Sequence, residues 1–218
     1  MKNLLARKNV AYLTFAVLNF WYFIGKIFLP KLTWRRVVNK QIVYLTFDDG
    51  PHPEITPWVM DQLEKVGAHG TFFVVGDNAA NHLEILSELG ARKHGIANHT
   101  FRHVKGWKIN SQKYLKEIDA CDEVVGDLDL FRPPFGQINF KAIPRILQKK
   151  EIIMWDVLSK DYLPKLNKTR ALARIKRQTR PGSIIVFHDS EKAEANLKAM
   201  LPAYLEFLKD EGYEMKVL

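Results

Sequence analysis

From Gln41 to the C-terminus, short apolar runs rich in β-branched and aromatic residues alternate with stretches whose apolar positions recur every three or four residues. The first pattern reads as buried strands and the second as amphipathic helices. Strands are predicted at Ile42–Phe47, Thr71–Val75, Gly95–Asn98, Leu130–Arg132, Ile152–Asp156, Ser183–Phe187 and Tyr213–Val217. Helices are predicted between them at Pro57–Val66, His82–Leu89, Gln112–Val125, Phe140–Lys149, Thr169–Gln178 and Ala193–Lys209. Thr56 before Pro57 has the form of an N-cap with proline at the first helical position. Ser111 suits the cap of the third helix, and Gly90 after Leu89 suits a C-cap. Pro202 inside the last stretch predicts a kink or two successive helices. There is no internal repeat and no low-complexity linker.

Seven β-rich runs alternating with helices predict an α/β fold with a mostly parallel sheet, either open and doubly wound or closed into a barrel. The polar residues choose between them. Asp48-Asp49, His99, Arg132, Asp156 and His188 each fall at or just beyond the C-terminal end of a different predicted strand. A (β/α) barrel converges those ends on one face, whereas an open sheet spreads them along a line. The expectation is a barrel of about seven parallel strands, short of the usual eight.

Ahead of this region the pattern changes. Asn9–Gly25 is seventeen residues without a charge, followed by Lys26 and then Ile27, Phe28 and Leu29. A bilayer-spanning helix takes about 20 apolar residues, and lysine near its end can snorkel. Residues 1–36 are therefore read as a basic-flanked hydrophobic segment whose positions 9–29 are a candidate membrane anchor, and residues 37–218 as the catalytic domain. No small-residue cleavage site follows the run, which argues against a removed signal peptide. The expected location is the membrane or cell envelope, with the cytoplasm as the alternative.

Composition adds less. Apolar residues make up 47% and charged residues 26%, as in a globular chain and unlike a disordered one. The formal charge is +9, but eight of the 33 basic residues and none of the acids lie in positions 1–40. The remainder is close to neutral, so a basic face for nucleic acid is not expected on the folded part. Cys121 is the only cysteine, which excludes an internal disulfide and a thiolate metal cluster.

The candidate chemistry lies in five motifs. Thr46-Phe47-Asp48-Asp49-Gly50-Pro51 places two adjacent carboxylates at a strand end, where a nearby cation would be needed if both ionise. Asn98-His99-Thr100-Phe101-Arg102-His103 places two histidines four apart, on one face of a helical turn, where they could share a metal ion. With one of the two aspartates they make a three-ligand site with coordination positions left open. The other aspartate would then be placed to act as a general base. In Phe131-Arg132-Pro133-Pro134-Phe135-Gly136 the prolines stiffen the chain and remove two donors. The Phe135 N–H is thereby held in place as half an oxyanion hole, and Arg132 can pair with the non-ligand aspartate. In Ile184-Ile185-Val186-Phe187-His188-Asp189 a histidine ends an apolar strand. It becomes a general acid if a carboxylate raises its pKa, and Asp156 or Asp161 of Trp155-Asp156-Val157-Leu158-Ser159-Lys160-Asp161-Tyr162 could do so.

Taken in this order, the motifs resemble the NodB-type polysaccharide deacetylase family of metal-dependent carbohydrate esterases, from about Gln41 to the C-terminus. The resemblance implies a distorted (β/α) barrel and one divalent metal ion, usually zinc and sometimes another first-row ion. It implies Asp48 as catalytic base, Asp49, His99 and His103 as metal ligands, and Arg132 as the residue that orients the base. Phe135 resembles the oxyanion donor, with Pro134 beside it. Asp161 and His188 look like the pair that protonates the leaving amine. Tyr162 and Val186 stand where the family often has Trp and Leu around the acetyl methyl. Phe135 replaces a frequent Tyr, and Leu158 lies where an extra Asp is common. His52, His69, His82 and His94 match no motif and read as structural or surface residues.

The implied reaction is release of acetate from an N-acetylhexosamine polysaccharide, peptidoglycan or a chitin-like glycan. The alternatives are an O-acetyl esterase on an envelope glycan, or an inactive membrane-tethered glycan-binding protein.

Overall fold

The computed structural model describes residues 29–218. Among them, eight strands form one sheet: β1 (Ile42–Asp48), β2 (Gly70–Val74), β3 (Gly95–Asn98), β4 (Leu130–Phe131), β5 (Glu151–Ile152), β6 (Val157–Leu158), β7 (Ile184–His188) and β8 (Glu214–Met215). Seven follow the order β5-β4-β3-β2-β1-β7-β6, and β8 pairs with the start of β1. Every ladder is parallel. The path is curled into a half-barrel, so the expected architecture is present. β1 and β7 are buried along almost their whole length, as parallel strands covered on both faces should be.

The two edges of the path belong to one run of chain, residues 151–158. Its start pairs with β4 and its end with β7. Between these, the Met154 N–H donates to the Thr33 carbonyl and the Asp156 N–H to the Ile184 carbonyl. The strand predicted at Ile152–Asp156 is thus two short strands, because the chain changes partners halfway along. Asp156 is displaced with it. Its carboxylate accepts from the Ile184 N–H at 2.9 Å and the Ser183 hydroxyl at 3.1 Å, at the start of β7 and away from the strand ends that carry the other motifs. Asp156 therefore does not belong to the chemistry expected there.

Among the described residues seven α-helices accompany the sheet: α1 (Ile55–Glu64), α2 (Gly76–Asn81), α3 (Leu83–Ala91), α4 (Ser111–Val125), α5 (Ile143–Ile146), α6 (Lys168–Gln178) and α7 (Glu194–Asp210). The main core joins Leu45, Phe47, Phe72 and Phe187 of the sheet to Leu63 of α1, Ile175 of α6 and Leu201, Tyr204 and Leu205 of α7. Each such side chain contributes about 1.5–3 kcal/mol by leaving water. That burial carries α7 through Pro202 as one helix, so of the expected kink or two successive helices the second is excluded. A second core packs Tyr114 and Ile118 of α4 on Phe131 and Ile152.

Several helix ends differ from expectation. Asn110, not Ser111, caps α4, its side chain accepting from the Lys113 N–H at 2.9 Å. α3 runs past Gly90 to Ala91. The helix expected at His82–Leu89 is preceded by a separate α2, with His82 at the joint. Of Phe140–Lys149 only α5 is α-helical, since its flanks close in i→i+3 turns such as Ala142 N–H to Asn139. Thr56 lies inside α1 and uses its hydroxyl elsewhere, as described below. No helix among the described residues is long and apolar enough to cross a membrane, and the run Asn9–Gly25 lies outside them.

Candidate active site

β1 ends in Asp48 and the turn Asp49-Gly50-Pro51 follows. Asp49 has φ 81°, a conformation that costs a residue with a Cβ, so the turn must be held from outside. Three contacts hold it. Asn78 of α2 donates to the Asp49 carbonyl at 2.8 Å, the Val75 N–H donates to the Gly50 carbonyl at 2.9 Å, and the Gly50 N–H donates to Asp189 Oδ1 at 3.1 Å. A Cβ on Gly50 would stand 2.1 Å from Asp189 Oδ2, so only glycine fits. Asp189 is fully buried, takes the Thr56 hydroxyl at 2.5 Å, and is pushed up to about 8 by that burial.

Arg132, just beyond β4, is fully buried. Its Nη1 donates to Asp48 Oδ1 at 2.6 Å and to the Thr46 hydroxyl at 2.7 Å, and Nη2 donates to the Met154 carbonyl at 3.2 Å. The guanidinium lies 3.9 Å from the centre of the Phe73 ring. The expected pairing of Arg132 with one aspartate of the doublet is present, and the aspartate is Asp48.

Asp49 turns the other way. Its Oδ1 is 3.0 Å from His103 Nε2 and 3.7 Å from His99 Nε2, and ligand atoms of the three residues lie within 4.8 Å of one another. Burial raises the Asp49 pKa, but the His103 hydrogen bond and the charges of His188, His99 and His103 outweigh it and hold the carboxyl well below its usual range. His99 is buried and lowered to about 4, with burial overcoming the pull of Asp48 and Asp49. Its Nδ1 is 2.7 Å from the Arg132 carbonyl, which can only accept. The proton is therefore on Nδ1, and Nε2 offers its lone pair toward Asp49 and His103. Two imidazoles and a carboxylate so arranged fit a divalent first-row ion.

The histidine spacing does not arise from a helical turn. Thr100 (φ 65°) and His103 (φ 51°) are left-handed, and residues 99–103 form a loop. The loop is pinned by Asn98 Oδ1 accepting from the Thr100 N–H at 2.8 Å, and by Glu117 Oε2 accepting from the Arg102 N–H at 2.9 Å. The two histidine rings still meet, with centroids 5.0 Å apart.

Phe135 (φ 58°) sits in a tight turn whose Gly136 and Gln137 N–H groups donate back to Pro133 and Pro134. Its own N–H is left out of that ladder, and its ring lies 4.5 Å from that of His103. Across the site His188 ends β7. Its backbone N–H donates to Asp161 Oδ2 at 2.8 Å, and its Nδ1 lies 2.7 Å from Asp161 Oδ1. Burial alone would lower His188, but the charge of Asp161 and its hydrogen bond raise it to about 9. Of the two carboxylates open at the sequence level, Asp161 is the partner.

These groups line a cavity of about 340 Å³ that includes Asp48, Asp49, His99, His103, Phe135 and His188. Tyr162, Val186 and Leu158 form part of its wall. Arg132, Pro134 and Asp161 are buried and do not line it. Trp155 and Lys192 line it and were not expected to. Trp155 opens the Trp-Asp motif without a role assigned to it, and Lys192 belongs to no motif. Asn78 and Asn196, which bracket the site from helices, had no signal beyond their polarity; Asn196 Nδ2 donates to the Asp161 carbonyl at 2.7 Å.

A parallel half-barrel carries a two-histidine, one-carboxylate cluster flanked by a buried Asp–Arg pair and a part-buried Asp–His pair, an arrangement suited to a metal-dependent hydrolase. Residues 35–151 match the model of the polysaccharide deacetylase family, and the chain belongs to that family. It is 29% identical over 182 residues to the peptidoglycan-N-acetylmuramic acid deacetylase PdaC of Bacillus subtilis (strain 168), covering 81% of this chain and 38% of that protein. It is 33% identical over 162 residues to the chitooligosaccharide deacetylase of Azorhizobium caulinodans, covering 69% of this chain and 75% of that one. The crystal structure of the Bc1960 peptidoglycan N-acetylglucosamine deacetylase superposes with a TM-score of 0.79 at 27% identity, covering 86% of this chain and 91% of that one. The chain spans well under half of PdaC.

Proposed function

We propose that this chain is a metal-dependent N-deacetylase that releases acetate from N-acetylated amino-sugar polymers of the cell envelope, peptidoglycan or a chitin-like glycan. One observation carries the reading. The Asp48–Arg132 and Asp161–His188 pairs present Asp48 and His188 to one cavity that also holds the Asp49, His99 and His103 donors. Relatives named as deacetylases of peptidoglycan and of chitooligosaccharides support the substrate class.

In this reading Asp49, His99 and His103 would hold one divalent ion, zinc or another first-row ion, which when bound would polarise the acetyl carbonyl and lower the pKa of the attacking water. Asp48 takes the proton of that water as general base, with Arg132 fixing its carboxylate. The Phe135 N–H receives the developing oxyanion. His188, kept protonated by Asp161, delivers its proton from Nε2 to the departing nitrogen. Val186, Leu158 and Tyr162 surround the acetyl methyl. An amine is a poor leaving group without a proton, and a histidine raised to about 9 can supply one.

Residues 37–218 are the catalytic domain in this proposal, and the uncharged run in residues 1–36 holds it at the membrane. Acetate release from peptidoglycan and from chitooligosaccharides, with and without a chelator and against O-acetylated glycans, tests the activity. Release from N-acetyl substrates that a chelator abolishes is expected. Chelator-insensitive release, or release from O-acetyl substrates alone, overturns it. Fractionation of cells producing the chain with and without residues 1–36 tests the anchor; equal recovery in the membrane fraction overturns that part.

A further inference from the structure

A cation that stands on a cavity wall with no partner of its own is left to meet a charge that the ligand brings. The other charges of this cavity are matched within the chain. Asp48 has Arg132 at 2.6 Å, Asp161 has His188 at 2.7 Å, and Asp49 has the His103 ring at 3.0 Å. Lys192 lines the same cavity, and no carboxylate among the described residues pairs with it. Glu194, the next acid along the chain, is taken by Lys198 at 2.6 Å.

The surroundings of Lys192 fix its place on the wall. It belongs to a turn, residues 190–193, that the Ala193 N–H closes by donating to the Ser190 carbonyl at 2.9 Å. Both ends of the turn are anchored, by Asp189 before it and by Ala193, each fully buried. The exposed Lys192 side chain leans over Tyr162, with Nζ 5.2 Å from the ring centre. The Tyr162 ring in turn stands edge-on to that of His188, centroids 5.0 Å apart. The ammonium is therefore held one ring beyond the imidazole, at the outer part of the wall that carries it.

We propose that Lys192 binds a carboxylate on the same sugar whose acetyl group enters the cavity, which makes N-acetylmuramic acid the preferred unit over neutral N-acetylglucosamine. In N-acetylmuramic acid a lactyl ether sits on the ring carbon next to the one that bears the acetamido nitrogen. Its carboxylate therefore lies near the wall that the nitrogen faces. The nitrogen must face His188 to receive a proton, and Lys192 stands one ring beyond His188. An ammonium on a flexible stem, with three donors, suits a carboxylate that swings on an ether. N-acetylglucosamine brings no charge to that position. The inference rests on the deacetylase reading for the placement of the sugar and narrows its substrate to the acidic unit of peptidoglycan with the lactyl carboxylate unblocked.

The test compares the zinc-loaded native chain with Lys192→Gln, which keeps the stem and removes the charge, and Lys192→Arg, which keeps the charge. The probes are peptide-free glycan strands of peptidoglycan with their lactyl carboxylates free, and the same strands with those carboxylates converted to amides. Acetate release and binding by calorimetry are measured on both. The native chain should favour the acid strand, mainly through KM, and the preference should shrink as salt is added. Lys192→Gln should lower the acid-to-amide ratio of kcat/KM roughly two- to fivefold, the size of a part-exposed charge pair, and Lys192→Arg should restore it. A native chain that does not prefer the acid strand overturns the inference. An unchanged ratio in Lys192→Gln does so too, and a loss equal on both strands makes Lys192 a contact of the glycan at large. Carboxylate-dependent binding that Lys192→Gln removes, with no acetate release from either strand, keeps the inference and sinks the deacetylase reading, so the two failures are distinguishable.

Discussion

Arg132 is fully enclosed by protein and points one guanidinium nitrogen at Asp48 Oδ1, 2.6 Å away. Burial lowers the Arg132 pKa and the charge of Asp48 pulls it back up, so each residue is tolerable only because the other is present. The pair links β4 to β1 through the middle of the sheet and fixes Asp48 at the cavity wall.

Removing one partner should therefore cost far more than removing both. Arg132→Met leaves a buried carboxylate unpaired and is expected to destabilise the fold by about 3–5 kcal/mol. Asp48→Leu combined with Arg132→Met should recover much of that stability while remaining inactive. Urea unfolding of the two single variants and the double variant measures the coupling. Additive losses would show that the pair does not act as a unit.

The pair also shows what could be read without coordinates. Arg132 beside an aspartate was legible because Arg-Pro-Pro-Phe-Gly and Asp-Asp-Gly-Pro both fall at strand ends, and strand ends converge in a parallel barrel. Which aspartate faces Arg132 was open to residue-level reasoning, and the family resemblance chose Asp48. Asp156 does not converge with the other strand ends, because residues 151–158 are not one strand and switch partners from β4 to β7. Spacing found His99 and His103 for an incomplete reason. The loop that brings them together depends on left-handed Thr100 and His103, held by Asn98 and Glu117 from elsewhere in the fold. Asn78 and Asn196 were silent, and Asp189 stood in its motif without a role, for a related cause: they hold backbone groups, and no local pattern announces that task.

Metal loading should stabilise the chain as well as activate it. The three donors converge only in the native fold, so an ion that binds there stabilises by about 2.7 kcal/mol at a hundred times its dissociation constant. Thermal unfolding with and without zinc should show a rise in Tm that a chelator reverses. The rise should vanish in Asp49→Asn and His99→Ala. An equal rise in those variants would place the ion elsewhere.

His94 predicts acid sensitivity remote from the site. It is buried, and its Nδ1 accepts the Gly70 N–H at 3.2 Å, so protonation there breaks the bond at the start of β2. Burial, then the charges of His69 and Arg92, lower its pKa to about 4 from an ordinary 6.5. The unfolded chain thus binds a proton in a range where the folded chain does not, and stability is intact above 6.5 and falls as the pH drops toward 4. His94→Asn keeps an acceptor for Gly70 and removes the titration. Its Tm should decline less between pH 7 and pH 4.5 than that of the native chain, and an identical decline would clear His94 of the effect.

The Asp161–His188 pair makes the most direct claim about mechanism. His188 rises to about 9 because Asp161 outweighs burial, so its imidazolium is the state present at neutral pH. The sign follows from that: the stabilising pair is complete below the ordinary histidine value of 6.5 and is lost as the pH climbs through about 9. A proton donor raised in this way by Asp161 should give a kcat profile whose alkaline limb lies above the ordinary histidine value. Asp161→Asn keeps the size of the side chain but removes its charge, and should move that limb toward or below neutrality. His188→Ala should lose most of kcat on an N-acetyl substrate. It should lose less on an activated ester, whose leaving group departs without a proton. If Asp161→Asn left the alkaline limb in place, His188 would not be the group that gives the nitrogen its proton.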